Sequence, residues 1–303
     1  MRIAIIPKQS AIEWDMNRLF LDRDDLLQRY AEQERNVQRM VSSEERQHQS
    51  IDDIMILFPG ADVLALEQFN KEKAKQYDLV VAVGGDNHFL RVAHYLEETP
   101  IIGINSDVIT SVGALLRFDP KNIPGHIKKI LEGRFSYEEW TRAEAKINGK
   151  LVEDARGMFS LSNIEDDMMT RYLLKFKDGR EQQKSSGMIV TTGAGSTGWY
   201  TDAGIYLPTI SSGSYPEPAS SFPPDRRMLK TLTREPFGGK DCSYEMLNLG
   251  IRAGEELEIV YWANDNAKLS SDSVIKYVIS EGDRIKFRVS PRTFRVVTPN
   301  TIE

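Results

Sequence analysis

Short apolar runs separated by polar stretches of helical spacing occupy the first third of the chain. Residues 2–6, 54–59, 79–83 and 100–105 each read as a short buried strand. Across residues 13–50 apolar positions such as Leu19, Leu26, Leu27 and Tyr30 recur at helical spacing among many charges. That pattern predicts a long, largely solvated helical region, in which Arg23, Asp24, Asp25, Arg29 and Glu32 form an exposed face supported by pairs such as Asp25 with Arg29. Residues 62–77 and 89–97 read as further helices. Strands that alternate with helices predict a parallel sheet.

Beyond Gly133 the pattern changes. Strand candidates follow one another closely, over residues 144–147, 171–176, 188–192, 257–261, 273–279 and 284–290. Asp178-Gly179 and Glu281-Gly282-Asp283 supply hairpin turns, residues 210–224 are rich in Ser, Pro and Gly and read as an exposed loop, and Trp262 and Phe287 read as core. A chain of 303 residues exceeds the usual size of a single core. The expected organisation is an α/β domain with a parallel sheet over residues 1–125, followed by a mostly-β domain over residues 126–303, with no internal repeat.

Composition narrows the function classes. A formal net charge of −6 argues against a general nucleic-acid-binding or anionic-membrane surface. The opening residues lack the apolar core of a signal peptide, and no apolar stretch approaches the roughly 18 residues of a spanning helix, so a cytoplasmic protein is expected. The single cysteine, Cys242, excludes an internal disulfide and a cysteine-based zinc site, and reads as packed. Four scattered histidines, with His88 and His94 six apart rather than four, do not suggest a metal cage.

Two glycine turns carry the candidate chemistry. Gly84-Gly85-Asp86 closes one apolar run, and Gly193-Ala194-Gly195-Ser196-Thr197 closes another, about a hundred residues later. Glycines at such places let backbone N–H groups approach a phosphate and adopt positive φ at low cost, while the Asp or a hydroxyl meets a ribose. Either turn alone is a common way to end a strand; the two in order point to a nucleotide.

The two turns and the α/β-then-β order resemble the NAD kinase family, whose fold is shared with diacylglycerol and sphingosine kinases. The family's Gly-Gly-Asp-Gly-Thr motif matches Gly84, Gly85 and Asp86, its Gly-Ile-Asn segment matches Gly103-Ile104-Asn105, and its Thr-Gly-Ser-Thr-Ala-Tyr run matches Ala194-Gly195-Ser196-Thr197-Gly198-Trp199. Lys184-Ser185-Ser186-Gly187, Asn105-Ser106-Asp107 and Arg234-Glu235-Pro236 look closest to the mitochondrial-type members and their bacterial relatives. The resemblance implies an NAD kinase-like fold and phosphorylation of the adenosine ribose 2′-hydroxyl of NAD by ATP, with magnesium on the nucleotide phosphates and assembly as a homodimer or homotetramer. It implies Asp86 as the proton acceptor. Gly84, Gly85, Asn87, His88, Asn105, Ser106, Ser162, Asn163, Gly195, Ser196, Thr197, Gly198, Trp199 and Asp202 would line the nucleotides, with Trp199 able to stack on a ring.

Such a reaction asks mainly for positioning, because phosphoryl transfer passes through a loose, charge-spread transition state. An aspartate with the reference pKa of roughly 3.9 orients the hydroxyl and takes its proton late. The chain departs from the family pattern at two places. Asn87 and His88 stand for the motif's glycine and threonine; Asn87 would tolerate left-handed backbone, and His88 would offer a partial positive charge and favour polyphosphate as an alternative donor. Ser162-Asn163 stands where the family carries Asn-Glu, and the nearby Glu165-Asp166-Asp167 reads as a solvated loop. An NAD(P)-binding protein without donor affinity and a lipid or sugar kinase on the same fold remain open alternatives.

Overall fold

The computed structural model describes residues 1–165, 167–204, 219–238 and 244–302. Cys242, Asp166 and most of the expected 210–224 loop lie outside the described residues. The chain divides into two compact units, Met1–Glu138 with Arg295–Glu303, and Glu139–Phe294.

The first unit runs β1 (Ile3–Pro7), α1 (Ala11–Leu19), α2 (Arg23–Glu32), α3 (Val37–Leu57), β2 (Asp62–Val63), α4 (Lys71–Ala74), β3 (Leu79–Gly84), α5 (Asp86–Ala93), β4 (Ile101–Asn105) and α6 (Ile127–Leu131). Its strands pair in the order β2-β1-β3-β4, all parallel, and Val296 adds in parallel beside Ile101. Every residue of β3 and β4 is buried, which is why both read as unbroken apolar runs and not as alternation. Ile5, Val81, Ile102, Ile104 and Phe118 meet Ile54 and Phe58 in one cluster.

Two readings of the first unit needed correction and one needed detail. Residues 54–59 are not a strand: they form the last turn of α3 and its cap, with Ile54 and Phe58 buried four apart while Ile56 is 77% exposed. A short apolar run does not distinguish a buried strand from a helix end, and the strand lies just beyond it as β2. The helical region over residues 13–50 resolves into three helices, interrupted at Phe20, whose φ is 55°, and at the Asn36 cap; α1 and α2 bury Ile12, Leu26 and Tyr30 together. Residues 62–77 hold β2, a 3-10 turn and the short α4.

In the second unit follow β5 (Glu138–Ile147), β6 (Lys150–Leu151), β7 (Met158–Asn163), β8 (Thr170–Phe176), β9 (Gly179–Ser185), β10 (Gly187–Thr191), α7 (Trp199–Gly204), β11 (Met228–Arg234), β12 (Gly250–Arg252), β13 (Glu256–Tyr261), β14 (Ala267–Ser271), β15 (Ile275–Ile279) and β16 (Arg284–Val296). Antiparallel pairing gives the orders β12-β11-β10-β7-β14-β15 and β16-β13-β8-β9. Phe159, Leu161 and Val190 from the first set pack with Leu174, Leu257, Ile259 and Phe287 from the second. Phe287 is core as expected, but Trp262, just past the end of β13, is 42% exposed.

Candidate functional site

The first glycine turn connects β3 directly to α5. Gly84 is the last residue of β3, Gly85 the N-cap of α5 and Asp86 its first residue. Neither glycine has positive φ, so freedom of the backbone is not what the turn needs. It needs room: a Cβ on Gly84 would lie 2.9 Å from Lys8 Cβ and 2.9 Å from His88 Cδ2, because the end of β1 and the first turn of α5 both close on it. The Lys8 N–H donates to Val83 O at 2.8 Å, which sets the end of β1 against the end of β3.

Asp86 stands at a helix N-terminus, where a carboxylate is favoured by the helix dipole. Its Oδ2 accepts from the Ala114 N–H and its Oδ1 from the Leu115 N–H, each at 2.9 Å. Both oxygens are therefore oriented by backbone donors from the segment after β4. Asn87 is exposed in the first turn of α5 and has no positive φ, so the expected left-handed geometry is absent: the helix begins at once and leaves no such step. His88 also corrects an expectation. It is buried, its Nε2 lies 2.8 Å from Ile6 O, and burial, with Lys8 and Arg91 adding to it, pushes its pKa down to about 4. The ring is neutral near pH 7 and donates to the Ile6 carbonyl, so it brings no positive charge.

Asn105 and Ser106 lie beside this turn, and the Asn105 side chain is spent on backbone groups. The Asn105 Nδ2 donates to Ser111 O and its Oδ1 accepts from the Asp107 N–H, both at 3.2 Å. Ser106 is buried; its N–H donates to Gly84 O at 3.1 Å. Next to them Asp107, which sequence reasoning gave no role, is 4% exposed. Burial pushes its carboxyl up, yet donors from Arg46, Thr110, Ser43 and the Ile109 N–H hold it well below the usual carboxylate range.

A pocket of about 570 Å³ opens where β1 and β2 end, lined among others by Lys8, Glu13, Trp14, His48, Leu66 and Arg91. Open parallel sheets place ligands outside the carboxyl ends of their strands. Sequence reasoning missed Lys8 and Arg91, although Pro7-Lys8-Gln9-Ser10 at the end of the first apolar run was a signal. Ser10 caps α1 and forms a reciprocal pair with Glu13, through Glu13 N–H to Ser10 Oγ at 3.0 Å and Ser10 N–H to Glu13 Oε2 at 2.7 Å.

The second glycine turn, in the other unit, follows β10. Its glycines also lack positive φ; a Cβ on Gly193 would press into Pro223 O, and one on Gly195 into Gly157 O. Ser196 is fully buried, donates to Gly193 O at 2.7 Å and accepts from the Phe222 N–H at 3.0 Å. Gly195 and Ser196 are buried and tightly packed, and the Ser196 hydroxyl is held by backbone partners. Thr197, Gly198, Trp199 and Asp202 are exposed, and the Arg234 guanidinium lies 4.4 Å from the centre of the Trp199 ring. One face of that indole is therefore already taken by a cation.

Ser162 and Asn163 end β7. Ser162 pairs with Gly187 at the start of β10, so the two residues stand at the opposite end of β10 from Thr197 and Trp199. Asn163 is 2% exposed; its Oδ1 accepts from the Glu165 N–H at 2.9 Å, while its Nδ2 has no partner. Among the described residues, no group of three or more His, Cys, Asp or Glu is placed to hold a metal, and no helix is long and apolar enough to cross a membrane.

Comparison with known proteins agrees with this picture. Residues 21–135 match the family described as the ATP-NAD kinase N-terminal domain. The chain is 25% identical over 248 residues to a probable NADH kinase of Oryza sativa subsp. japonica, covering 74% of this chain and 72% of that one. It is 31% identical over 156 residues to an NAD kinase of Thermococcus gammatolerans, covering 48% of this chain and 51%, about half, of that relative. Its fold is similar to that of an NAD kinase from Archaeoglobus fulgidus solved in complex with ATP, with a TM-score of 0.60 at 20% identity, over 98% of this chain and 93% of that one.

Proposed function

Because the chain belongs to the NAD kinase family, we propose that it transfers the terminal phosphoryl group of ATP to the adenosine ribose 2′-hydroxyl of NAD, giving NADP. The observation that carries this reading is Asp86: an acid at a helix N-terminus, both oxygens aimed by the Ala114 and Leu115 N–H groups, on the same helix as Arg91 and one turn from the packed Gly84-Lys8 contact. Asp86 orients the acceptor hydroxyl and takes its proton as the new P–O bond forms. Lys8 and Arg91 meet the charge of the donor phosphates in the pocket beside β1. Magnesium arrives on those phosphates as part of the donor, a role that asks for few protein ligands.

On the second unit taken by itself, Thr197, Gly198, Trp199 and Asp202 offer an exposed surface to the dinucleotide. NADH is a further acceptor on this reading, since the rice relative is named for it. We place the enzyme in the cytoplasm as a homodimer or homotetramer; the edge strand β15, with Val278 exposed, supports self-association.

Purified protein incubated with NAD or NADH, magnesium, and ATP or polyphosphate should form NADP or NADPH. Absence of product with every donor and acceptor pair would remove the reading.

A further inference from the structure

The segment that aims Asp86 has little apolar burial to hold it. Between Asp107 and Ala114, Val108, Ile109 and Val112 are 51%, 72% and 93% exposed. What fixes the segment is polar, partly from Asn105 at the end of β4 and partly from one face of α3. Ser43 Oγ donates to Asp107 Oδ2 at 2.7 Å, and the Arg46 guanidinium forks onto both carboxylate oxygens, Nε to Oδ1 at 2.8 Å and its terminal nitrogen to Oδ2 at 3.1 Å. One turn further along, Ser50 Oγ donates to Ser106 O at 2.8 Å. Residues 43, 46 and 50 share a helix face by their spacing. From Asp107 the restraint passes inward through the Ile109 N–H and the Thr110 hydroxyl, both donated to its carboxylate, and through the Ser111 N–H donated to Asp107 O. The segment then turns at Gly113, whose φ of 62° and contact with Asn105 Nδ2 admit no side chain, and delivers the Ala114 and Leu115 N–H groups to Asp86.

We propose that Asp107, clasped by Arg46 and Ser43 of α3, is a positioning residue for Asp86. The inference rests on the kinase reading for its kinetic consequence, though not for its structural one. A bidentate Arg–carboxylate pair fixes direction as well as distance, which a point charge does not. Releasing it lets the two N–H donors drift, and misplacement of a reacting group by about 1 Å costs up to about a hundredfold in rate. Neither Arg46 nor Asp107 has to touch a nucleotide for this to hold.

Two readouts test the proposal on Arg46→Ala, Arg46→Lys and Ser43→Ala. Amide hydrogen exchange should show protection lost at Ala114 and Leu115 but kept in β3, most in Arg46→Ala, less in Arg46→Lys and least in Ser43→Ala. The kcat for NADP formation should fall in the same order, about tenfold or more in Arg46→Ala, with KM for NAD and ATP within about twofold of wild type. Arg46→Lys and Ser43→Ala keep the test open should Arg46→Ala lose its fold. Unchanged protection at Ala114 and Leu115 in all three variants, or an active wild type whose kcat is untouched by them, would overturn the inference. A wild type that makes no NADP would defeat the kinase reading while leaving the exchange result to decide the clasp.

Discussion

The two glycine turns begin alike, each closing a fully buried strand, and end differently. After β3 the chain enters α5 immediately, and the acidic residue at the junction is reached by backbone donors. After β10 the glycines are pressed against backbone carbonyls of Pro223 and Gly157, the serine is buried, and only the residues from Thr197 onward reach the surface. One turn presents a charged group held in a fixed direction; the other is a packed corner that lifts a hydroxyl, an indole and a carboxylate outward. Similar composition therefore hides two kinds of constraint, one on direction and one on volume.

Four measurements would break or sharpen that contrast. Asp86→Asn should lower kcat for NADP formation by roughly 10²- to 10⁴-fold, the span expected for loss of a proton acceptor, and steady-state kinetics would show it. A variant with near wild-type kcat would take the chemistry away from the first turn. Gly195→Ala should destabilise the protein by about 3 kcal/mol, because the added methyl meets backbone that is not free to move, whereas Gly84→Ala meets the movable His88 ring as well as Lys8 and should cost about 1 kcal/mol less. Denaturant midpoints of the two variants give the comparison directly.

The third measurement concerns His88. The unfolded chain takes up this proton near pH 6.5, the folded chain only near pH 4, so the unfolded state binds more protons between them. Its contribution to stability is fully present above about pH 6.5, falls by up to about 3 kcal/mol as pH drops through that window, and levels off below about pH 4. His88→Gln retains a donor for Ile6 O and should flatten this part of the stability profile; an unchanged slope would refute the neutral buried ring. The smallest effect is expected at Trp199→Ala, which should raise KM for the dinucleotide about fivefold, roughly 1 kcal/mol, with kcat unchanged.

Much of the architecture was legible in residue order. The parallel strands β3 and β4 announced themselves as unbroken apolar runs, and β8, β10 and β13 fell where alternating or buried patterns placed them. Helix ends were less readable, since Ile54 and Phe58 satisfy a strand and a helix equally until their burial is known. Asp86 was singled out through its neighbours in the turn, but its donors were not, because backbone N–H groups leave no mark in a side-chain sequence. His88 was misjudged for a related reason: a histidine's charge depends on what covers it, and the covering strand lies 82 residues away. Arg46 and Asp107 are 61 residues apart, so no local spacing connects them.

Val296 lies against Ile101, and Ile302 bridges Phe135, so the neighbour of β4 in the first unit's sheet comes from residues that follow the whole of the second unit. The strand at the other extreme of the sequence, β1, sits inside that sheet between β2 and β3. A fragment cut to residues 21–135 would lose the interior strand β1 and the partner of Ile101 together, and should be less soluble than the 303-residue chain. During synthesis the first unit stays incomplete until residues 295–302 have followed the whole of the second unit, so removing those residues is a lesion of the first unit.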